Sequence, residues 1–129
     1  MARLDGPMTA NRHGGLDEHL PMKPADYLTL VALAEGEQHG YGLVKKIEEI
    51  SDGALRLVPG NFYSVLQRLL KEGLLEESER RAAKDLDDRR RRYYAITDLG
   101  REVAAAETAR LKSLVKVAES RDLAGGRAR

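Results

Sequence analysis

The chain has no cysteine and no tryptophan, and aromatics make up only 5% of its 129 residues. The first absence removes disulfides and thiolate metal sites and fits a reducing interior. There is no apolar run near the roughly 20 residues that cross a bilayer, and the basic-then-apolar opening of a signal peptide is missing. The expectation is a cytoplasmic protein with no membrane partner. A charge excess of either sign is absent too: 22 Lys and Arg stand against 21 Asp and Glu, for a net charge of +1. Any case for a polyanionic partner must therefore rest on where the cations lie. Glycine-rich phosphate loops, Ser/His/Asp or Cys/His sets and clustered metal ligands are also lacking. His13 and His19 have no third ligand at suitable spacing. No catalytic, cofactor or metal residue is assigned, and an enzyme is not expected.

What is present is helical periodicity. Between Pro59 and Gly73, the residues Phe62, Val65, Leu66, Leu69 and Leu70 recur at i, i+3, i+4, i+7 and i+8, the apolar face of an amphipathic helix. Asn61, Ser64, Gln67, Arg68 and Lys71 lie opposite, no acid appears before Glu72, and Gly73 has the position of a C-terminal cap. Amide and guanidinium groups read base edges in a major groove, and cations neutralise phosphate. An ordinary solvated surface helix has the same pattern, so the neighbouring segments must decide between the two.

The chain is long enough for one domain with a modest core. Residues 1–23 carry glycine, proline and histidine but few large apolar groups, and are expected to form a flexible N-terminal arm. From Pro24 a first helix is apolar around most of its circumference, through Tyr27, Leu28, Leu30, Val31 and Leu33. A second runs from about His39 or Gly40 to Ile50, with His39 as a polar cap or a group near DNA. Residues 54–58 alternate loosely and could add a short strand, with Asn61 capping the helix that follows. Two strand-like segments around a charged connector, reaching Thr97, read as a β-hairpin with a floppy tip. Thr97 or Asp98 then caps a long last helix over residues 98–120, and 121–129 are expected to be a disordered tail.

The order helix, helix, short strand, helix, hairpin, helix is that of a winged helix-turn-helix over residues 24–97. The fold class is thus mainly α with a small β-hairpin wing, followed by a long C-terminal helix. Between Glu79 and Arg92 the wing carries seven cations (Arg80, Arg81, Lys84 and Arg89 to Arg92) against four acids (Glu79, Asp85, Asp87 and Asp88), a local net of +3. Charge concentrated where a wing meets phosphate supports double-stranded DNA as a partner; a solvated turn with internally paired acids is the plainer alternative. The DNA candidates are Asn61, Tyr63, Ser64, Gln67 and Arg68 on the third helix and Lys84, Arg89 and Arg90 on the wing. Gln67 and Arg68 suit base edges, Tyr63 and Ser64 suit phosphate, and Arg91 and Arg92 suit structural or dimer-facing roles.

The runs HGYGLVKKIEEIS, PGNFYSVLQRLLKEGLL and RRRYYAITDLGRE resemble the PadR family of bacterial transcriptional regulators. The resemblance covers residues 24 to about 119. Its marks are Gly40 and Tyr41, Tyr63-x-x-Leu66-x-x-Leu69, Gly73-Leu74-Leu75, and Tyr94-x-Ile96-Thr97-x-x-Gly100. Asn61 and Phe62 stand where the family usually has a small hydroxyl residue and leucine, and Ser64 where proline is frequent. The resemblance implies a sequence-specific regulator, more often a repressor, that binds a pseudo-palindromic operator as a homodimer and is released in some members by a small-molecule effector. It also implies that the last helix is a dimerisation helix packed on the partner's first, which accounts for the all-round apolar character of the first helix. Leu28, Val31, Val103, Leu111, Leu114 and Val115 are the residues expected there. Some members stack a flat effector on a tryptophan of the last helix; this chain has none, and no effector site is assigned. The rival reading is a winged helix that contacts proteins without binding DNA.

Overall fold

The computed structural model describes residues 15–81 and 92–125. The elements are α1 (Pro24–Leu33), β1 (Gln38–His39), α2 (Gly40–Ile50), α3 (Pro59–Lys71), β2 (Leu75–Arg81), β3 (Arg92–Ile96) and α4 (Asp98–Ser120). The expectations for the arm before residue 15, for the hairpin tip at 82–91 and for the end of the tail at 126–129 lie outside the described residues.

Helix α1 occupies the centre, packing against α2, α3, α4 and β3. Leu30 and Leu33 on it are fully buried, and they meet Leu43 and Ile47 of α2, Phe62, Val65, Leu66 and Leu69 of α3, and Val103 of α4. Leu74, Leu75 and Tyr94 extend this core under the sheet. The sheet has the order β1-β3-β2, all antiparallel, with Leu75 opposite Ile96 and Gln38 opposite Tyr94. Tyr94 settles which face of β3 turns inward, for its ring is among the most deeply buried groups of the chain. An irregularity between Glu77 and Arg81 interrupts the pairing toward the wing.

Three local expectations are corrected. The third strand comes from Gln38–His39 and not from residues 54–58, where the Ser51 hydroxyl instead accepts the Leu55 N–H at 3.0 Å and the backbone turns. Asn61 does not cap α3: the helix begins two residues earlier, with Val58 at the cap and Pro59 at the first helical position, where the missing proline N–H costs no hydrogen bond. The segment before α1 is not all arm. Residues 16–19 form a 3₁₀ turn, Leu16, Leu20 and Met22 pack on the core, and the Met22 N–H reaches Glu107 of α4 at 3.3 Å. At the other end, the Arg121 and Leu123 N–H groups both bond to the Ala118 carbonyl, so the expected tail begins by closing α4.

The joint between α3, the sheet and α4 is held by one hydroxyl. Thr97 Oγ1 donates to the Gly73 carbonyl at 2.6 Å and accepts the Gly100 N–H at 2.9 Å, while its own N–H bonds to Leu74 O. Gly73, at φ 76°, ends α3 in the left-handed region, with the Leu74 N–H returning to Leu69 O and the Gly73 N–H to Leu70 O. Gly100 lets the first turn of α4 lie on that backbone: a Cβ there would overlap Leu74 O and stand 2.8 Å from Ile96 Cγ1. The separate motifs Gly73-Leu74-Leu75 and Ile96-Thr97-x-x-Gly100 are thus the two sides of a single contact.

Candidate nucleic-acid interface

The helix-turn-helix is built from α2, the turn at 51–58 and α3. His39 starts α2: its Nδ1 accepts the Gly42 N–H at 3.0 Å, and its ring meets Tyr93 edge-on at 5.6 Å. Gly42 suits that cap because an added Cβ would stand 2.8 Å from Gln38 Oε1 and 3.4 Å from the His39 ring. At its end, α2 breaks through Asp52 and Gly53, both at positive φ, with the Gly53 N–H returning to Glu48 O at 2.8 Å.

The two faces of α3 separate as its periodicity predicts. Phe62, Val65, Leu66 and Leu69 are buried, while Asn61, Ser64, Gln67 and Lys71 are exposed. Tyr63 is half-buried between the two faces. The Ser64 hydroxyl donates back to Gly60 O at 3.3 Å. At the N-terminal end no side chain caps the helix, and the space around Gly60 is open. Pro59 has no N–H and the Phe62 N–H bonds to Val58 O, which leaves the Gly60 and Asn61 N–H groups without a side-chain cap at the positive end of the helix dipole, an arrangement that favours an anion such as phosphate.

Arg68 departs from the base-reading expectation. Its Nε donates to Asp26 Oδ2 at 3.1 Å and its terminal nitrogen to Oδ1 at 2.7 Å, a bidentate fork onto the first turn of α1. Asp26 is 7% exposed. The hydrogen bond to Asp26 holds the Arg68 guanidinium charge still more firmly than usual, against the opposing effect of burial. The physical reason is position on the helix: at about 100° per residue, Arg68 lies only about 60° from buried Val65, at the edge of the polar face nearest α1. Gln67 is exposed as expected.

On the wing, Arg92 pairs with Glu77 across the ladder at 2.9 Å, in keeping with a structural role. The candidates Lys84, Arg89 and Arg90 lie outside the described residues. Among the described residues no group of His, Cys, Asp or Glu is arranged to hold a metal ion, and no helix is long and apolar enough to cross a membrane.

The dimerisation candidates divide. Leu114 and Val115 are half-exposed on α4, and Leu28, Val31 and Leu111 are partly buried. Val103 is a correction: it is wholly buried against α1 inside this chain's own core and has no surface left for a partner. Two buried acids give no signal in the sequence: Asp26, in the first turn of α1, and Glu107, within an alanine-rich run. Glu107 is 2% exposed; Arg110 donates to both its oxygens, at 2.8 and 2.6 Å, and Met22 N–H adds a third bond. Those bonds, Arg110's foremost, hold its carboxyl below the usual range in spite of burial.

A central three-helix core, a three-stranded sheet continued as a wing, and an exposed polar face on the third helix define a winged helix-turn-helix regulator. The Transcriptional regulator PadR-like family matches residues 29–106, and the chain belongs to that family. The family is one of transcriptional regulators and not of enzymes. Over 83 residues, 64% of this chain, it is 35% identical to Transcriptional regulator Rv3488 of Mycobacterium tuberculosis, covering 71% of that protein. It is 36% identical over 83 residues, again 64% of this chain, to an uncharacterised 37.1 kDa protein of transposon TN4556 from Streptomyces fradiae, of whose length it spans only 21%. The fold is similar to that of Bacillus subtilis PadR, solved in complex with operator DNA, with TM-score 0.56 and 23% identity over 67% of this chain and 47% of that one.

Proposed function

We propose that this chain is a sequence-specific repressor that binds double-stranded DNA as a homodimer on a pseudo-palindromic operator. The observation that carries the reading is the outward face of α3: an uncapped, open N-terminus beside exposed Asn61, Ser64 and Gln67, on a helix whose other side is wholly committed to the core. In this reading Gln67 and Asn61 meet base edges, Ser64 and the Tyr63 hydroxyl meet phosphate, and Lys84, Arg89 and Arg90 lie along the flanking backbone. The dimer is supported by Leu111, Leu114 and Val115 on α4 and by the half-buried Leu28 and Val31 on α1. A small-molecule effector that lifts the repressor must bind the free and DNA-bound geometries unequally.

The test is selection of bound duplexes from a random pool, followed by titrations at several salt concentrations. The expected product is an inverted repeat with half-sites about one helical turn apart. Gln67→Ala should cost about 1–3 kcal/mol on that operator and relax preference at one position. Replacing Arg89 and Arg90 together should weaken binding to every sequence and shallow the logarithmic salt slope by about 2. Retention of no duplex, with salt-insensitive background, would favour the protein-contact role instead.

A further inference from the structure

Arg68 and Asp26 are 42 residues apart in sequence and form a two-point bridge between α3 and α1. The Asp26 side chain is nearly enclosed, with an exposure of 10%, while the Arg68 side chain retains 34%. A monodentate surface pair leaves its partners free to turn. A planar fork on a fixed carboxylate restricts both the distance and the rotation between the two helices. The bridge leaves α3 one residue beyond Gln67, so its position governs how far the exposed face of α3 projects.

We propose that Arg68 is a positioning residue and not a DNA contact: its fork on Asp26 sets the seat of α3 on α1, and with it the separation at which the two recognition helices of a dimer meet DNA. The proposal rests on the DNA-binding dimer described above. Because α1 contributes Leu28 and Val31 to the proposed subunit contact, α3 is referred to the dimer axis through the same helix that holds Asp26. Loss of the fork loosens that reference without removing any group that touches DNA.

The experiment compares the full chain, Arg68→Lys, and the paired change Asp26→Leu with Arg68→Met, on the selected operator and on versions with one base pair added or removed between half-sites. Lysine keeps the charge and loses the fork; the paired apolar change leaves no buried charge unpaired, so the fold survives. Both variants should lose about tenfold or more on the native spacing, with preference among spacings flattened to within about twofold and the salt slope unchanged. Three results overturn the proposal. A salt slope shallower by about 1, or a preference relaxed at a single base, makes Arg68 a direct contact. Lower melting temperature with unaltered affinity and spacing preference makes the bridge structural only. Failure of the unmodified chain to bind any duplex removes the DNA reading itself, and shows at the first step before any variant is made.

Discussion

The two halves of α4 carry the same kind of apolar repeat and meet opposite fates. In the first half Gly100, Val103, Ala106 and Glu107 are buried, and the helix is fastened to Thr97, Leu74, Met22 and α1. In the second half Leu114 is 52% exposed, Val115 54% and Val117 47%. A periodic stripe shows that a face is made to be covered; it does not show which chain covers it. Covering a side chain of this size contributes about 1.5–3 kcal/mol, so the uncovered half is an appreciable reserve for association. Burial along α4 stops at Glu107, the residue that Met22 and Arg110 hold, and no heptad count contains that point.

The sharpest way to break the contrast is at the seat of the first half. Gly100→Ala sets a methyl group against Leu74 O and Ile96, and because backbone must move to admit it, the cost should be about 3 kcal/mol or more. Urea denaturation would show it as a lowered midpoint; an unchanged midpoint would mean that α4 is not clamped as described. One step smaller, Val103→Ala should cost about 2 kcal/mol through lost burial and a residual cavity. The matching change Leu114→Ala in the outer half should move the stability of the isolated subunit by less than about 0.5 kcal/mol. Its effect should appear as weaker self-association in sedimentation equilibrium and a melting temperature that depends less on protein concentration. Equal effects of the two substitutions on the isolated subunit would erase the distinction between the halves.

Much of this was legible in sequence wherever a signal is local. The buried face of α3 follows from a period near 3.6, the long last helix from its alanine-rich repeat and Thr97, and the winged helix-turn-helix class from element order. Less legible is whatever has a cause that is remote or too short. The fork from Arg68 to Asp26 spans 42 residues, and no window joins them. Two residues, Gln38–His39, make a strand only because β3 offers an edge, whereas residues 54–58 alternate with no edge to join. The start of α3 was readable: proline at the first helical position identifies Pro59 as the beginning and leaves Asn61 inside the first turn. Buried Glu107 gave no such sign, since an acid among alanines on a helix is ordinarily solvated.

Glu107 separates the halves by pH, through an effect smaller than those of Gly100 and Val103. Its carboxyl is held below the ordinary 4.5, first by Arg110's hydrogen bonds and also by the Met22 N–H. A depressed folded-state value means that the unfolded chain takes up the proton first, so the contribution is whole above the unfolded value and is lost as pH falls through the folded one. Acid should therefore loosen the inner half of α4 and the turn at residues 16–19, while Leu114, Val115 and Val117 have no such dependence of their own. Glu107→Gln keeps the size and loses the charge, and near pH 7 should cost about 1.5 kcal/mol, the scale of a charge-assisted hydrogen bond. The unfolding free energies of the two proteins should converge as pH drops below 4.5. If they instead remain parallel from neutral pH into acid, the Glu107 carboxylate is not what ties the segment before α1 to the inner half of α4.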